Sequence, residues 1–108
     1  MYLIQMLLPA TTNASGRGDA REMIARTRNE LVERFGGLTA YTRTPALGEW
    51  MSPEGERERD TMVMVEVVAP RFERAWWKSY ATMLAARFDQ EAIHLRAIQV
   101  EMLDPDAA

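Results

Sequence analysis

The chain has 108 residues, 47% of them hydrophobic, which is enough for one domain with a buried core and too few for two. Its 13 basic and 16 acidic side chains give a formal net charge of -3, so it offers no extended positive surface for a nucleic-acid backbone. It contains no cysteine, which excludes disulfide frameworks, thiolate metal sites and cysteine nucleophiles.

The first predicted element is a strand from Tyr2 to Leu8, an apolar run broken only by Gln5 and ended by Pro9. Such a run is typical of a central strand covered on both faces. It lacks a basic leader and is too short for a signal peptide or a membrane span. We therefore expect a cytoplasmic protein with no membrane partner.

A polar linker over residues 11–18 precedes a predicted helix, which Asp19 caps with Glu22 at capping-box spacing. The helix ends at Gly36, since glycine readily adopts the left-handed conformation that closes helices. Its apolar side carries Met23, Ile24, Thr27, Leu31 and Phe35. Its charged side chains are expected to form a solvated face, made of Arg21, Arg26, Arg28, Glu30, Glu33 and Arg34.

Two strands joined by a long hairpin follow. The first, Leu38 to Thr44, alternates as a half-buried strand does and is interrupted by Pro45 and Gly48. Ser52 to Gly55 has the layout of a type I turn. The valine- and methionine-rich stretch from Thr61 to Ala69 predicts a second central strand.

A second amphipathic helix and a last strand complete the pattern. The helix is traced at helical spacing by Phe72, Trp76, Tyr80, Met83, Leu84 and Phe88. The strand runs from about Ile93 to Leu103, and the pattern leaves open which of its faces meets the helices. Residues 104–108 are expected to form a frayed tail.

The order strand, helix, strand, strand, helix, strand predicts a ferredoxin-like α+β fold. We expect a single domain over residues 1–103, with a four-stranded antiparallel sheet and both helices on one face. The opposite face then carries Leu3, Gln5, Leu7, Met62, Met64, Glu66 and Val68. Because this face is too apolar for water, we expect a homodimer whose two sheets pack together as a dimeric α/β barrel.

Short motifs between residues 35 and 95 carry a family resemblance. They are Gly37-Leu38-Thr39, Gly48-Glu49-Trp50, Gly55, Arg59 and Arg87-Phe88-Asp89-Gln90-Glu91. With the element order, they resemble the dimeric α/β-barrel group and, within it, a bacterial family of uncharacterised domains. The group includes cofactor-free monooxygenases and small isomerases, so the resemblance implies a barrel-forming bacterial protein and assigns no reaction.

Polar residues inside apolar strands are the first candidates for a ligand site, because burying one without a partner costs about 1–3 kcal/mol. Gln5 and Glu66 fit this description. With a tight turn at Ser52 to Gly55 and no bulge, antiparallel counting pairs Tyr41 with Glu66 and places Arg43 beside Met64; a shift of this register by the proline and glycine near residue 46 is left open. Glu66 would then act as a general base in an apolar cavity, or would simply pair with Arg43 or with donors of a second subunit.

Three further residues complete the candidate ligand site. Trp50, in the hairpin, would cover a pocket or pack against a neighbouring subunit. His94 is the only histidine, and either His94 with Arg96 or Gln99 faces the cavity, depending on the parity of the last strand. No recognised metal-ligand spacing is present, so we expect no metal and no cofactor.

These observations predict a cytoplasmic homodimer that binds a small organic ligand in a partly polar cavity. One alternative is an enzyme of the cofactor-free oxygenase or isomerase type, in which Glu66 or His94 moves a proton. Another is a structural or interaction protein whose barrel is filled by side chains. The sequence assigns no catalytic residue and leaves open whether there is catalysis.

Overall fold

The structure, a computed structural model, describes the backbone of residues 1–10, 20–51 and 57–103 and the side chains of residues 1–10, 20–41 and 61–103. The elements within these ranges follow the predicted order. They are β1 (Tyr2–Pro9), α1 (Ala20–Phe35), β2 (Thr39–Met51), β3 (Arg57–Ala69), α2 (Arg74–Arg87) and β4 (His94–Gln99).

These strands form one antiparallel sheet in the order β2-β3-β1-β4, which confirms the predicted ferredoxin-like arrangement. β1 and β3 lie at its centre and pair along the whole of β1, from Tyr2 opposite Ala69 to Pro9 opposite Met62. Their central position explains why these two strands are the most apolar segments of the chain.

The core lies between the helices and one face of the sheet. β1 contributes its even-numbered side chains and β3 its odd-numbered ones, because successive residues of a strand point to opposite faces. These buried residues are Ile4, Met6, Leu8, Val63, Val65 and Val67. The helices add Ile24, Leu31, Trp77, Tyr80 and Leu84, and Phe88 adds its side chain directly after α2. The predicted division of the sheet into two faces is therefore confirmed.

The helix ends show one agreement and one difference. α1 ends as predicted, since Gly36 has a φ of +84° and its N–H donates to the Val32 carbonyl at 2.8 Å. α2 begins at Arg74, so Phe72 precedes the helix and instead packs against Tyr2, with ring centroids 6.1 Å apart. Phe72 continues the aromatic spacing of the helix because its side chain packs against the same core as the helical residues.

The predicted pairing of β2 with β3 is wrong. Glu66 lies opposite Thr39 and not Tyr41, and Met64 lies opposite Tyr41 and not Arg43. The ladder is therefore displaced by two residues along β2.

The displacement combines two shifts. On the hairpin side Ala46 lies opposite Met62, one residue from the counted partner, and an irregularity near the middle of β2 moves the pairs beyond it by three residues in the opposite direction. Residues 42–45 of β2 occupy the interval that β3 spans with Val63 alone. Counting from the hairpin assumes a regular ladder, whereas extra residues in one strand shift every pair beyond them. Pro45 lies in this interval and has no N–H to donate to the ladder, which favours an irregularity there.

The last strand is shorter than the predicted 93–103. β4 pairs with β1 alone, and the final pair sets Gln99 opposite Tyr2. One more backbone hydrogen bond joins the N–H of Val100 to the Met1 carbonyl at 2.9 Å.

The structure also settles the parity of β4. Leu95 and Ala97 pack against the core, so His94 and Arg96 point to the other face of the sheet. Gln99 has the parity of Leu95 and lies on the helix side.

Four predicted features lie outside the described residues. They are the linker at 11–18, the cap at Asp19, the turn from Ser52 to Gly55 and the tail at 104–108.

Candidate functional site

The side of the sheet that faces away from the helices is here called the open face. Its described side chains are Leu3, Gln5, Leu7, Pro9, Thr39, Tyr41, Met62, Met64, Glu66, Val68, His94, Arg96 and Ile98. Pro9, at the end of β1, is buried; the others are half-buried or exposed, and Val68 and Ile98 retain 39% and 42% of their accessible surface. The open face therefore has much more contact with solvent than the face that packs against the helices.

A chain of hydrogen bonds, here called the polar row, crosses the open face from β4 to β2. Arg96 Nε donates to Gln5 Oε1 at 2.6 Å, and Gln5 Nε2 donates to Glu66 Oε2 at 2.5 Å. The Tyr41 hydroxyl donates to Glu66 Oε1 at 2.7 Å. Each strand of the sheet thus contributes one member.

The sheet register places these side chains together. Arg96 lies directly opposite Gln5, and Gln5 lies directly opposite Glu66, so the three are cross-strand neighbours. Tyr41 instead reaches Glu66 diagonally, from two residues beyond Thr39. A tyrosine is long enough to span the diagonal, which is about 7–8 Å between backbones.

Apolar side chains border the polar row on both sides. Ile98, Leu3 and Val68 lie opposite one another along one border. Leu7 and Met64 form the other border with His94 at its end. The open face therefore presents a polar stripe within an apolar surface.

The polar row does not neutralise its own charges. In the described part of the chain, no cationic group lies within ion-pair distance of the Glu66 carboxylate, because Arg96 donates to Gln5 instead. The Glu66 carboxylate accepts the Tyr41 proton and repels its phenolate, which raises the pKa of Tyr41 above its usual 10.0.

A recess of about 440 Å³ opens beside Glu66. It forms where β2 begins, because β2 first pairs with β3 at Thr39 and Glu66, leaving the end of β3 without a neighbour on that side. The connection from α1 to β2 borders the remaining gap. The lining residues are Leu3, Phe35, Gly36, Gly37, Leu38, Thr39, Glu66 and Val68.

The predicted site residues fall into three groups. Gln5, Tyr41 and Glu66 are joined in the polar row. His94 lies on the same face opposite Leu7, whereas Gln99 lies on the helix side opposite Tyr2 and is separated from the row. Arg43 and Trp50 fall in the stretch whose side chains lie outside the description.

A second polar cluster, here called the helix lock, joins α1 to α2. Arg87 donates from Nη1 and Nη2 to the two carboxylate oxygens of Glu30, each at 2.8 Å. Arg87 Nη1 also donates to the buried Thr27 hydroxyl at 2.8 Å, and the Tyr80 hydroxyl donates to Glu30 Oε1 at 2.9 Å. Glu30 therefore does not belong to a solvated face, contrary to the sequence prediction.

The electrostatics of the helix lock are those of a closed network. The hydrogen bonds from Arg87 lower the pKa of Glu30 despite its partial burial. Burial and the nearby Glu30 carboxylate raise the pKa of Tyr80. The bidentate geometry is the strongest that an arginine and a carboxylate can form. We therefore assign the helix lock a structural role: it holds α1 and α2 together.

Two classes of site are absent from the described residues. The described residues contain no group of three or more histidine, aspartate or glutamate side chains placed to hold a metal ion. Neither described helix has the length and apolar character needed to cross a bilayer.

Comparison with known proteins shows the fold and no family. No family model matches the chain, and no curated protein matches it. A solved structure of a CutA1 mutant from Pyrococcus horikoshii OT3 is similar, with a TM-score of 0.61 and 13% identity. The match covers 98% of this chain and 89% of that chain. The resemblance to a bacterial family of uncharacterised domains stays a prediction.

Proposed function

We propose that this protein is a homodimer in which two open faces pack together and enclose a small organic ligand beside the polar row. The observation that carries the proposal is the position of the row: hydrogen-bonded polar groups lie within an apolar sheet face that the two helices do not cover. A surface with this composition favours a partner at its apolar parts and a polar occupant at its centre.

The apolar borders support self-association. Leu3, Leu7, Met64, Val68 and Ile98 are hydrophobic, yet each keeps part of its surface exposed in the protomer. Burying them against a second copy removes that surface from water, which is the main driving force of association. A standard interface buries roughly 800 Å² per partner, an area within reach of a four-stranded sheet.

The polar row supports a ligand within that interface. The terminal nitrogens of Arg96 donate no hydrogen bond to the described residues, and each Glu66 oxygen accepts only one from them. Covering such groups without a partner costs about 1–3 kcal/mol each. A small molecule with its own donors and acceptors offsets this cost, and the recess beside Glu66 supplies the space.

Sedimentation velocity at micromolar concentration tests the dimer. We expect the wild type to sediment as a dimer and Leu7→Asp to sediment as a monomer, because the substitution places a charge within the interface. Val32→Asp is the matched control, since Val32 is 45% exposed on α1 and lies outside the open face. A monomeric wild type contradicts the proposal.

A thermal-shift screen of metabolites tests the ligand. A ligand present at about 100 times its dissociation constant stabilises the native state by about 2.7 kcal/mol and raises the melting temperature. We expect a selective group of hits that Leu7→Asp reduces. A broad screen without hits supports instead a barrel interior filled by side chains.

One contact favours enzymatic activity as a second candidate function. Glu66 Oε1 accepts a hydrogen bond from the Tyr41 hydroxyl at an oxygen–oxygen distance of 2.7 Å, an arrangement that also suits proton transfer to and from a bound molecule. An enzyme converts a ligand found in the screen, and Glu66→Gln stops that conversion. A binding protein releases its ligand chemically unchanged, as mass spectrometry can establish.

A further inference from the structure

We propose that the ligand carries a protonated amine, which binds the Glu66 carboxylate while its apolar part fills the recess. This inference rests on the proposed function and specifies the class of ligand. Its starting point is that the recess combines one carboxylate with four apolar side chains.

The hydrogen bonds of Glu66 leave it suited to an organic cation. Both of its oxygens accept protons from uncharged donors, the Gln5 amide and the Tyr41 hydroxyl. These bonds orient the carboxylate without neutralising it, and further lone pairs remain. An ammonium group donates three hydrogen bonds and supplies the missing charge.

The surroundings of the recess also favour a cation. Glu66 is the only ionisable side chain among the lining residues that the structure describes. The recess begins where α1 ends, at Gly36, and a helix C-terminus carries a partial negative charge. The nearby Arg34 does not supply the counter-charge, because it pairs with Glu73 at 2.9 Å and lies over the Trp76 ring at 4.0 Å.

The walls of the recess indicate the chemistry of the part of the ligand that is attached to the amine. Leu3, Phe35, Leu38 and Val68 present apolar surface, so the body attached to the amine is expected to be hydrocarbon. A volume of about 440 Å³ is within the range of small-molecule sites. At Gly37, a Cβ atom would meet no other atom within 4 Å, so the space beside that residue is open.

Isothermal titration calorimetry with three matched probes tests the inference. Hexylamine, hexanol and hexanoate share a hydrocarbon chain and differ in the charge of the head group. We expect hexylamine to bind the wild type at least about tenfold more tightly than hexanol, because a hydrogen bond to a charged group is stronger than one between neutral groups. Hexanoate is expected to bind weakest, since it brings a second negative charge to Glu66.

Two variants localise the binding. Glu66→Gln keeps the shape and removes the charge, so the preference for hexylamine over hexanol should fall at least about tenfold. Glu91→Gln is the matched control, since it removes the same charge at an exposed position outside the recess. Gly37→Leu adds a side chain to a residue that lines the recess, so it is expected to weaken the binding of hexylamine and of hexanol. Circular dichroism and sedimentation test whether this variant folds and assembles as the wild type does.

Each outcome has a defined meaning. A preference for hexylamine that Glu66→Gln abolishes and Glu91→Gln preserves supports the inference. Tighter binding of hexanol or hexanoate, with Gly37→Leu still weakening it, overturns the amine and leaves the proposed function intact. If no probe binds and the metabolite screen also yields no hits, the proposed function fails with the inference.

Discussion

The helix lock and the polar row each contain one arginine, one glutamate and one tyrosine. In the lock, Arg87 bonds directly to both oxygens of Glu30. In the row, Gln5 lies between Arg96 and Glu66, so the two charges do not meet. The same side chains therefore form a neutralised network in one place and a polarised one in the other.

Position explains the difference. The lock lies between two helices, where the Arg87 side chain is only 9% exposed and direct pairing offsets the cost of removing its charge from water. The row lies on a sheet face that keeps contact with solvent in the protomer, so an unneutralised charge is tolerated there until a partner or ligand covers it. Arginine, glutamate and tyrosine together therefore do not define a site; a site depends on which of their hydrogen-bonding groups the geometry leaves without a partner.

The largest expected effect is that of breaking the helix lock with Arg87→Met. This substitution leaves Glu30 and the buried Thr27 without their strongest partner, so we expect a loss of about 2–4 kcal/mol in the free energy of unfolding. The melting temperature should fall by about 10 °C or more. Differential scanning calorimetry at pH 7 measures both the melting temperature and the change in stability.

The control for that variant is Arg26→Met. Arg26 Nε lies 4.0 Å from Glu30, and its side chain is 72% exposed, so its removal should change stability by about 0.5 kcal/mol or less. Similar effects of the two substitutions contradict the assignment of Arg87 as the residue that joins the helices.

The fold was predictable because its main signals are local. Even and odd residues alternate between a buried and an open face from Leu3 to Leu8 of β1 and from Met62 to Ala69 of β3, and Gly36 marks the end of α1. The register of β2 was not predictable, since the irregularity at 42–45 depends on how the whole ladder accommodates it. The contact between Tyr41 and Glu66 was expected from a direct pair and exists along a diagonal.

The two polar networks differ in how much the sequence reveals of them. Gln5 and Glu66 stand out because each interrupts an apolar strand. Glu30 and Arg87 do not, since charged residues on amphipathic helices usually face solvent and 57 residues separate this pair along the chain. Only the packing of α1 against α2 brings them together.

The second prediction makes one chemical change in both networks. Glu30→Gln removes the charge that Arg87 binds and should cost about 1–3 kcal/mol. Glu66→Gln removes a charge without a cationic partner in the described residues and should change stability by about 0.5 kcal/mol or less. Urea unfolding at equal protein concentration measures both, and equal losses contradict the distinction between a closed and an open network.

The third prediction concerns pH. Because the pKa of folded Glu30 lies below its usual 4.5, its contribution to stability is complete above that value and is lost as the pH falls through the lowered pKa. We therefore expect the difference in unfolding free energy between wild type and Glu30→Gln to be constant from pH 6 to 8 and to shrink below about pH 4.5. A difference that is the same at pH 3 and pH 7 rules out the lock as its source.

The smallest expected effect is on the ionisation of Tyr41. Its pKa is raised because the Glu66 carboxylate accepts the hydroxyl proton and repels the phenolate, so Glu66→Gln should lower it toward 10.0. NMR titration of ring-labelled tyrosine resolves Tyr41 from Tyr80, whose pKa should not respond because its carboxylate partner is Glu30. If Tyr41 titrates identically in both proteins, the carboxylate does not hold the hydroxyl in solution. Glu66 then lacks one of the two bonds that orient it, and the amine site loses part of its geometric basis.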